Sequence, residues 1–395
     1  MAEQRQGWRR FWPFALVAPL ILFLLLLFVA PVLLMLMRGV SEQEVPGTWP
    51  RTAAALRAWN GQGLPGDRVV ATAAAEMIST HRAGTVSRVA NRLNYAVVGS
   101  RTLVLNTATR LAEGAPGARL ADLGDIDPRW RDRETWAALR HASGTPTAFY
   151  LWAALDARSD ADGDIVALPP EQAVFVDILL RTFKVSAVVT LLCLLLGYPL
   201  AYFLAGLTER WANPLLILVL LPFWTSTLVR TAAWVVLLQT NGVVNTMAQG
   251  LGLTDGPLAL LYNRTGVYIA MTHVLLPFLV LPLYAVMRGI PDGAMRAAGS
   301  LGAHPWLAFW RVYFPQTLPG VAAGAVIVFT LSLGYYITPA LVGGGADQMI
   351  SASIAFYTSE SLNWGMAAAL SILLIVPVAL ALLLSRARLS WKAAL

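Results

Sequence analysis

One cysteine, two lysines and four histidines among 395 residues remove several classes of function before any pattern is read. Cys193 alone cannot build a disulfide framework, and its place in an apolar run reads as packing. Lys184 and Lys392 lie outside any G-x-x-x-x-G-K-[ST] context, so the chain carries no P-loop of its own. His81, His141, His273 and His304 are too scattered for metal-ligand spacing, and neither H-E-x-x-H nor G-x-S-x-G occurs. No catalytic residue, metal site or cofactor is therefore expected.

Charge is also scarce. Asp, Glu, Lys and Arg make up 13% of the chain against 57% apolar residues, which points to an integral membrane protein. The formal net charge is +7. Residues 41–180 hold 14 Arg against 16 Asp and Glu, so the basic excess belongs to the rest of the chain and its short loops. That is the pattern of membrane orientation and not of a phosphate-binding face, and no nucleic-acid partner is expected.

Six apolar stretches reach the roughly 20 residues needed to cross a bilayer. They lie at about 13–37, 183–206, 214–239, 266–287, 319–342 and 364–385. The first follows RQGWRR but is too long for a signal peptide and lacks a clean cleavage site, so it reads as an uncleaved span. With the N-terminus inside, the inner segments carry ten Lys and Arg and the short outer ones only Arg264. Arg38, Arg181 and Lys184, at outer span ends, weigh mildly the other way. This orientation places 41–180 outside and both termini in the cytoplasm.

The 41–180 segment has the length of a small domain. Helical spacing recurs in GDRVVATAAAEMIST, TVSRVANRLNYAVV and RETWAALRHA, separated by Gly, Pro and Asp-rich breaks. A mostly helical folded lobe is expected. DARSDADGD resembles a calcium loop superficially but lacks the closing Glu. The domain division that follows is 1–40, an inner N-terminus and first span; 41–180, the outer lobe; and 181–395, a five-span core.

No Asp or Glu lies inside the six stretches. Ion-coupled carriers and proton pumps usually need such carboxylates, which weighs against a secondary transporter. A membrane-anchored sensor would need a cytoplasmic signalling domain, and none fits in the loops. Arg230 and His273 are the internal ionisable groups. His273 reads as a hydrogen-bonded span residue. Arg230 either lines a pathway or snorkels to the interface.

Between the fourth and fifth stretches lies MRAAGSLGAHPWLAFWRVYFPQTLPG, residues 295–320. Pro291 and Asp292 signal a helix start, and Ala294, Ala297, Ala298, Leu301 and Gly302 give a mostly small face. Pro305 suits the first turn of a second helix. Trp306, Phe309, Trp310 and Tyr313 then form an i, i+3, i+4, i+7 aromatic stripe. The plain reading is an interfacial helix with aromatic anchors. The sharper one is a rigid cytoplasmic knob that fits a cleft on a partner.

These residues resemble the signature of the membrane subunits of binding-protein-dependent ABC importers: E-A-A, three residues, G, nine residues, I-x-L-P. Ala297, Ala298, Gly302 and Pro315 match, Val312 and Phe314 stand for the Ile and Leu, and Arg296 replaces the Glu. LLGYPLAYFLA at 195–205, LPFWTSTLVRTAAW at 221–234, NGVVN at 241–245, LLPFLVLPLYAVM at 275–287 and ITPALVGG at 337–344 are similar to the spermidine/putrescine-type branch. The resemblance spans about 180–385; the lobe departs from that branch's short first loop. It implies an all-α inner-membrane permease of the six-span, MetI-like importer fold with a large extracytoplasmic insertion. It further implies that helices at about 291–315 dock on a cytoplasmic ATPase subunit, with a second permease subunit and a periplasmic substrate-binding protein as partners. The substrate it suggests is a small solute of polyamine type, with thiamine, opines or phosphonates as alternatives. Trp224, Tyr335, Tyr336 and Tyr357 offer aromatic faces to a cation, whereas Arg230 without an acidic partner does not favour one.

Overall fold

In the computed structural model, residues 17–116, 119–160 and 162–393 are described. The expected start of the first span at 13 and the basic residues Arg5, Arg9 and Arg10 lie outside them. The chain divides into two compact units, Met1–Phe175 with Phe356–Pro377, and Val176–Ala355 with Val378–Leu395.

The first unit contains the apolar helix Val17–Met37, which is long enough to cross a membrane and has none of its hydrophobic window buried. The lobe follows. Its helices include Glu44–Thr48, Pro50–Ala58, Asp67–Arg82, Val86–Ala96, Ser100–Ala112 and Arg133–His141; Asp67–Arg82, Val86–Ala96 and Arg133–His141 lie close to the spacing patterns in the sequence. Val86, Val89, Ala90 and Leu93 repeat at i, i+3, i+4, i+7 and are all buried. They join Trp49, Leu56, Met77, Leu103, Trp130 and Trp136 in one core. Each buried indole finds an acceptor, as its N–H requires. Trp49 donates to Thr80 Oγ1 at 3.0 Å, Trp130 to Thr107 Oγ1 at 2.9 Å and Trp136 to the Trp130 carbonyl at 2.8 Å. The buried Glu76 carboxylate accepts from the backbone N–H groups of Arg51 and Thr52, at the start of the Pro50–Ala58 helix, where negative charge is favoured.

The Asp-rich stretch is not a plain break. Ala157–Ser159 and Ile165–Ala167 form an antiparallel hairpin, with Arg158 opposite Val166. In its turn, Asp160 Oδ1 accepts from the backbone N–H of Asp162 and of Asp164, both at 2.9 Å, so this carboxylate oxygen shapes the loop.

Phe356–Pro377 belongs to the lobe's unit. Tyr150 lies over Gly365, where an added Cβ would come within 2.4 Å of the ring, and Gly39 lies against the backbone of Ala368 and Ala369. The first apolar helix and the head of the Trp364–Ala393 helix are thus built into one body with the lobe.

In the second unit, the helices Phe175–Gly206, Arg264–Arg288 and Pro305–Gly334 are each long and apolar enough to cross a membrane. Small residues let them approach. A Cβ at Gly324 would lie 3.1 Å from the Leu279 carbonyl oxygen, and one at Gly197 would lie 2.6 Å from the Leu279 side chain. Val189, Cys193, Met271, Leu275 and Val328 fill the space between. The Cys193 thiol is buried, 3.6 Å from the Thr272 carbonyl that accepts from it.

Two of the expected spans need correction. The 214–239 run is not straight. The helices Glu209–Trp224 and Thr227–Gly250 meet at a bend of 97°, because Thr225 and Ser226 adopt extended backbone after the Leu221–Trp224 turn. The 319–342 run is two elements. Pro305–Gly334 is one helix, which ends as Tyr335 becomes extended, and Ile337–Val342 is another.

Candidate functional site

The knob is built at the end of the Arg264–Arg288 helix. Asp292–Ser300 forms its first helix. Gly302 closes it with φ +83, a left-handed conformation that glycine adopts without a Cβ penalty. Ala303 donates to the Ala298 carbonyl at 3.1 Å and Gly302 to that of Gly299 at 3.0 Å, which satisfies carbonyls the helix end leaves free. A Cβ at Gly302 would meet nothing within 4 Å, so the turn geometry and not a packed neighbour explains this glycine.

The second helix starts as the sequence suggests, with Pro305 in its first turn and the His304 side chain accepting from the Trp306 N–H at 3.3 Å. It then departs from the expected stripe. Phe309–Tyr313 is a π-turn, whose extra residue rotates the following positions. Trp306 and Trp310 remain exposed at 67% and 45%. Phe309 and Tyr313 instead meet Tyr202 edge-on at 5.8 and 5.3 Å between ring centres. The aromatic residues therefore divide between an outward pair and an anchoring pair.

The signature positions divide in the same way. Arg296, Ala297, Gly302 and Pro315 are exposed, Val312 and Phe314 are half-buried, and Ala298 is buried. Phe314 packs 5.8 Å from Tyr198, whose hydroxyl lies 3.2 Å from Thr317 Oγ1. Leu301, beside the turn, is 88% exposed. A cavity of about 750 Å³ lies behind the knob, lined by Tyr202, Gly206, Arg288, Met295 and Tyr313 among others. Arg288 Nη1 donates to the carbonyls of Ala205 and Leu207, both at 3.0 Å, placing a cation at the C-terminal end of the Phe175–Gly206 helix. Sequence reasoning counted Arg288 only toward orientation. Its position at the end of a span, before a proline turn, was the available signal for this cap.

Trp224 and Arg230 come together at the 97° bend. Trp224 is 87% exposed. Arg230 folds back on the break, donating from Nη2 to the Thr225 carbonyl at 2.7 Å and from Nε to Thr225 Oγ1 at 3.1 Å. Nearby in sequence, Thr231 Oγ1 lies 3.1 Å from Thr338 Oγ1, and the Trp234 indole donates to His273 Nδ1 at 3.3 Å. Tyr335 and Tyr336 sit at the other helix break. Tyr335 is packed against the core, and its carbonyl accepts from Ser351 Oγ at 2.8 Å; Tyr336 is exposed. Tyr357 falls in the first unit, 6.2 Å from the Phe175 ring.

Several apolar helices of spanning length, a solvent-exposed two-helix knob and a broken apolar helix are the architecture expected of a membrane-embedded protein. Residues 197–388 match the family described as binding-protein-dependent transport system inner membrane component. The spermidine/putrescine transport system permease protein PotB of Escherichia coli K12 is 34% identical over 209 residues, covering 53% of this chain and 76% of that protein. The inner membrane ABC transporter permease protein YdcU of the same strain is 33% identical over 216 residues, covering 52% and 69%. The molybdenum transport system permease protein ModB of Mycobacterium bovis is 32% identical over 207 residues, covering 52% and 76%. A bacterial alginate ABC transporter, solved with an alginate pentasaccharide-bound periplasmic protein, aligns with a TM-score of 0.43 at 19% identity, covering 53% of this chain and 76% of that chain. The chain belongs to the inner-membrane permease subunits of binding-protein-dependent ABC importers. It is a transporter component and not an enzyme.

Proposed function

We propose that this permease subunit forms half of a translocation pathway for a small organic cation of polyamine type, delivered by a periplasmic binding protein and driven by a cytoplasmic ATPase. A second permease subunit completes the pathway, and both termini of this chain face the cytoplasm. The PotB relatives support the substrate class, since their names carry spermidine and putrescine. At the bend and the second break, Trp224, Tyr335 and Tyr336 offer aromatic faces to a cation, with Tyr357 a further candidate. Arg230 acts on the pathway through the bend itself, because its guanidinium is held by Thr225.

The ATPase docks on Arg296, Ala297, Ala298, Gly302, Val312, Phe314 and Pro315. The observation that carries this reading is the left-handed turn at Gly302, open on its outer side and flanked by the exposed Leu301. A partner can approach that turn closely. Gly302→Trp is expected to insert normally in the membrane but to lose co-purifying ATPase and transport. Wild-type recovery of the ATPase with the inserted variant sinks the docking role. The lobe widens the platform on which the binding protein arrives.

A further inference from the structure

A polar cavity of about 570 Å³ lies inside the first unit, where the lobe meets the ends of two apolar helices. Arg38 enters its lining directly after the Val17–Met37 helix, and Trp364 enters from the first residue of the apolar segment Trp364–Leu380. Arg88 faces it from the Val86–Ala96 helix, with Asn91 and Tyr95 one and two turns on. Among the described residues, neither Arg38 nor Arg88 is within ion-pair distance of a carboxylate.

The wall carries more positive charge than it uses. Arg92 is 2% exposed, and its Nε donates to the buried Glu42 Oε2 at 2.6 Å. Its guanidinium lies 3.8 Å from the centre of the Phe149 ring, and its Nη1 has no hydrogen-bond partner among the described residues. Glu42 thus balances Arg92. Among the described residues lining the cavity, Glu44 is the one carboxylate beside Arg38 and Arg88. Burial, then Glu42, raises its pKa above the ordinary carboxylate value, and Arg88, Arg38 and Arg92 oppose that rise. Arg38 and Arg88 both line this one cavity, and neither is in an ion pair among the described residues. One unit of positive charge is left over, and a phosphodiester supplies one negative charge. A polycation has no place among these arginines.

Below the cavity the surface is apolar. Leu33, Leu34 and Met37 are 54%, 64% and 60% exposed on the helix that ends at Arg38. A cationic polar cavity set directly above an exposed apolar helix flank has the two-part shape of a phospholipid.

We propose that this cavity binds a phosphate ester, supplied by the headgroup of a membrane phospholipid whose acyl chains lie along the Val17–Met37 helix, with Arg38 and Arg88 holding the phosphate oxygens. Charge-assisted contacts from a guanidinium fork suit that geometry. The lipid wedges the lobe onto the membrane surface and is distinct from the transported solute.

The test uses the full chain, purified in detergent, delipidated and titrated with phosphatidylglycerol under native mass spectrometry. The wild type is expected to retain one lipid. Arg38→Gln/Arg88→Gln is expected to lose roughly tenfold or more in retention, as befits two lost charge-assisted contacts. The Arg38→Lys/Arg88→Lys pair keeps much of the binding, and Arg110→Gln, an exposed lobe arginine elsewhere, keeps all of it. Arg88→Gln alone, on the lobe surface, serves if the double variant loses its helical circular dichroism. Diacylglycerol, which lacks the phosphate, is expected not to bind. sn-Glycerol 3-phosphate separates the sources: weak binding supports the lipid, whereas binding as tight as the phospholipid's overturns the lipid source in favour of a soluble phosphate ester. Equal phosphatidylglycerol retention by wild type and a folded glutamine variant, or equal retention of diacylglycerol, overturns the site.

Discussion

Two titrating side chains of the lobe sense acid for different reasons, and their windows do not overlap at neutral pH. Burial lowers the His141 pKa from its ordinary 6.5, with Arg140 and Arg92 adding to the effect and Asp160 opposing it. Asp127 is lowered from 3.8 chiefly by its hydrogen bonds from Arg129, which donates from Nη2 to Oδ2 at 2.7 Å and from Nε to Oδ1 at 3.0 Å. In both cases the folded state holds its proton less tightly than the unfolded chain. Each contribution is present above the ordinary value and is lost as pH falls below it toward the folded value. Stability should therefore decline first below about pH 6.5 through His141 and again below about pH 3.8 through Asp127. The buried indoles of Trp49, Trp130 and Trp136 report lobe unfolding, so urea midpoints followed by tryptophan fluorescence check the profile. His141→Gln should flatten the upper step and Asp127→Asn the lower one. An unchanged profile in both variants contradicts the assignment.

At the scale of elements, the Arg264–Arg288 and Pro305–Gly334 helices approach each other closely. Gly324 allows it, since a Cβ there would lie 3.0 Å from Leu279 Cδ1 and 3.3 Å from its Cα. Gly324→Val must push against backbone, and overpacking of this kind costs about 1–3 kcal/mol. A lower yield of monodisperse protein and a lower thermal midpoint are expected, whereas Gly334→Ala, which meets nothing within 4 Å, should be nearly neutral. The same elements show what a reader of the sequence can and cannot see. Among the described residues, apolar length marked four helices long and apolar enough to cross a membrane, five if the bent pair is one span, whereas the apolar segment Trp364–Leu380 is shorter than the expected sixth span at 364–385. Pro305 marked the start of the knob's second helix, because a missing N–H restricts residue choice; Gly302, read as part of the small helical face, instead forms the left-handed turn after Asp292–Ser300. The bend at Thr225 and Ser226 was invisible, since both residues are tolerated in helix and extended backbone alike and the flanking runs are uniformly apolar. The π-turn at Phe309–Tyr313 was hidden for a related reason: the aromatic spacing fits an α-helix, and only packing on Tyr202 selects the wider turn. The 157–167 hairpin was masked by aspartates that read as loop, although Asp160 organises its turn through backbone N–H groups.

For the whole molecule, the division of the chain matters more than its order in sequence. The lobe expected over 41–180 closes its compact unit at Phe175 and recruits Phe356–Pro377 from far downstream. Replacing 45–170 with a short flexible linker removes Tyr150 from Gly365 as well as the platform itself. The expected outcome is an inserted complex whose ATPase activity is no longer stimulated by the loaded binding protein. Faster proteolysis is also expected near Leu362, which already sits at φ +54 and is 63% exposed. Normal stimulation and uptake in that variant would remove the lobe from docking. The seat of Tyr150 on Gly365 also sets a clock. The lobe is translated roughly two hundred residues before its last wall, so at ~5–20 residues per second it waits on the order of 10–40 s on the ribosome with that face bare. A transcript cut short before codon 364 yields a lobe that can never be closed.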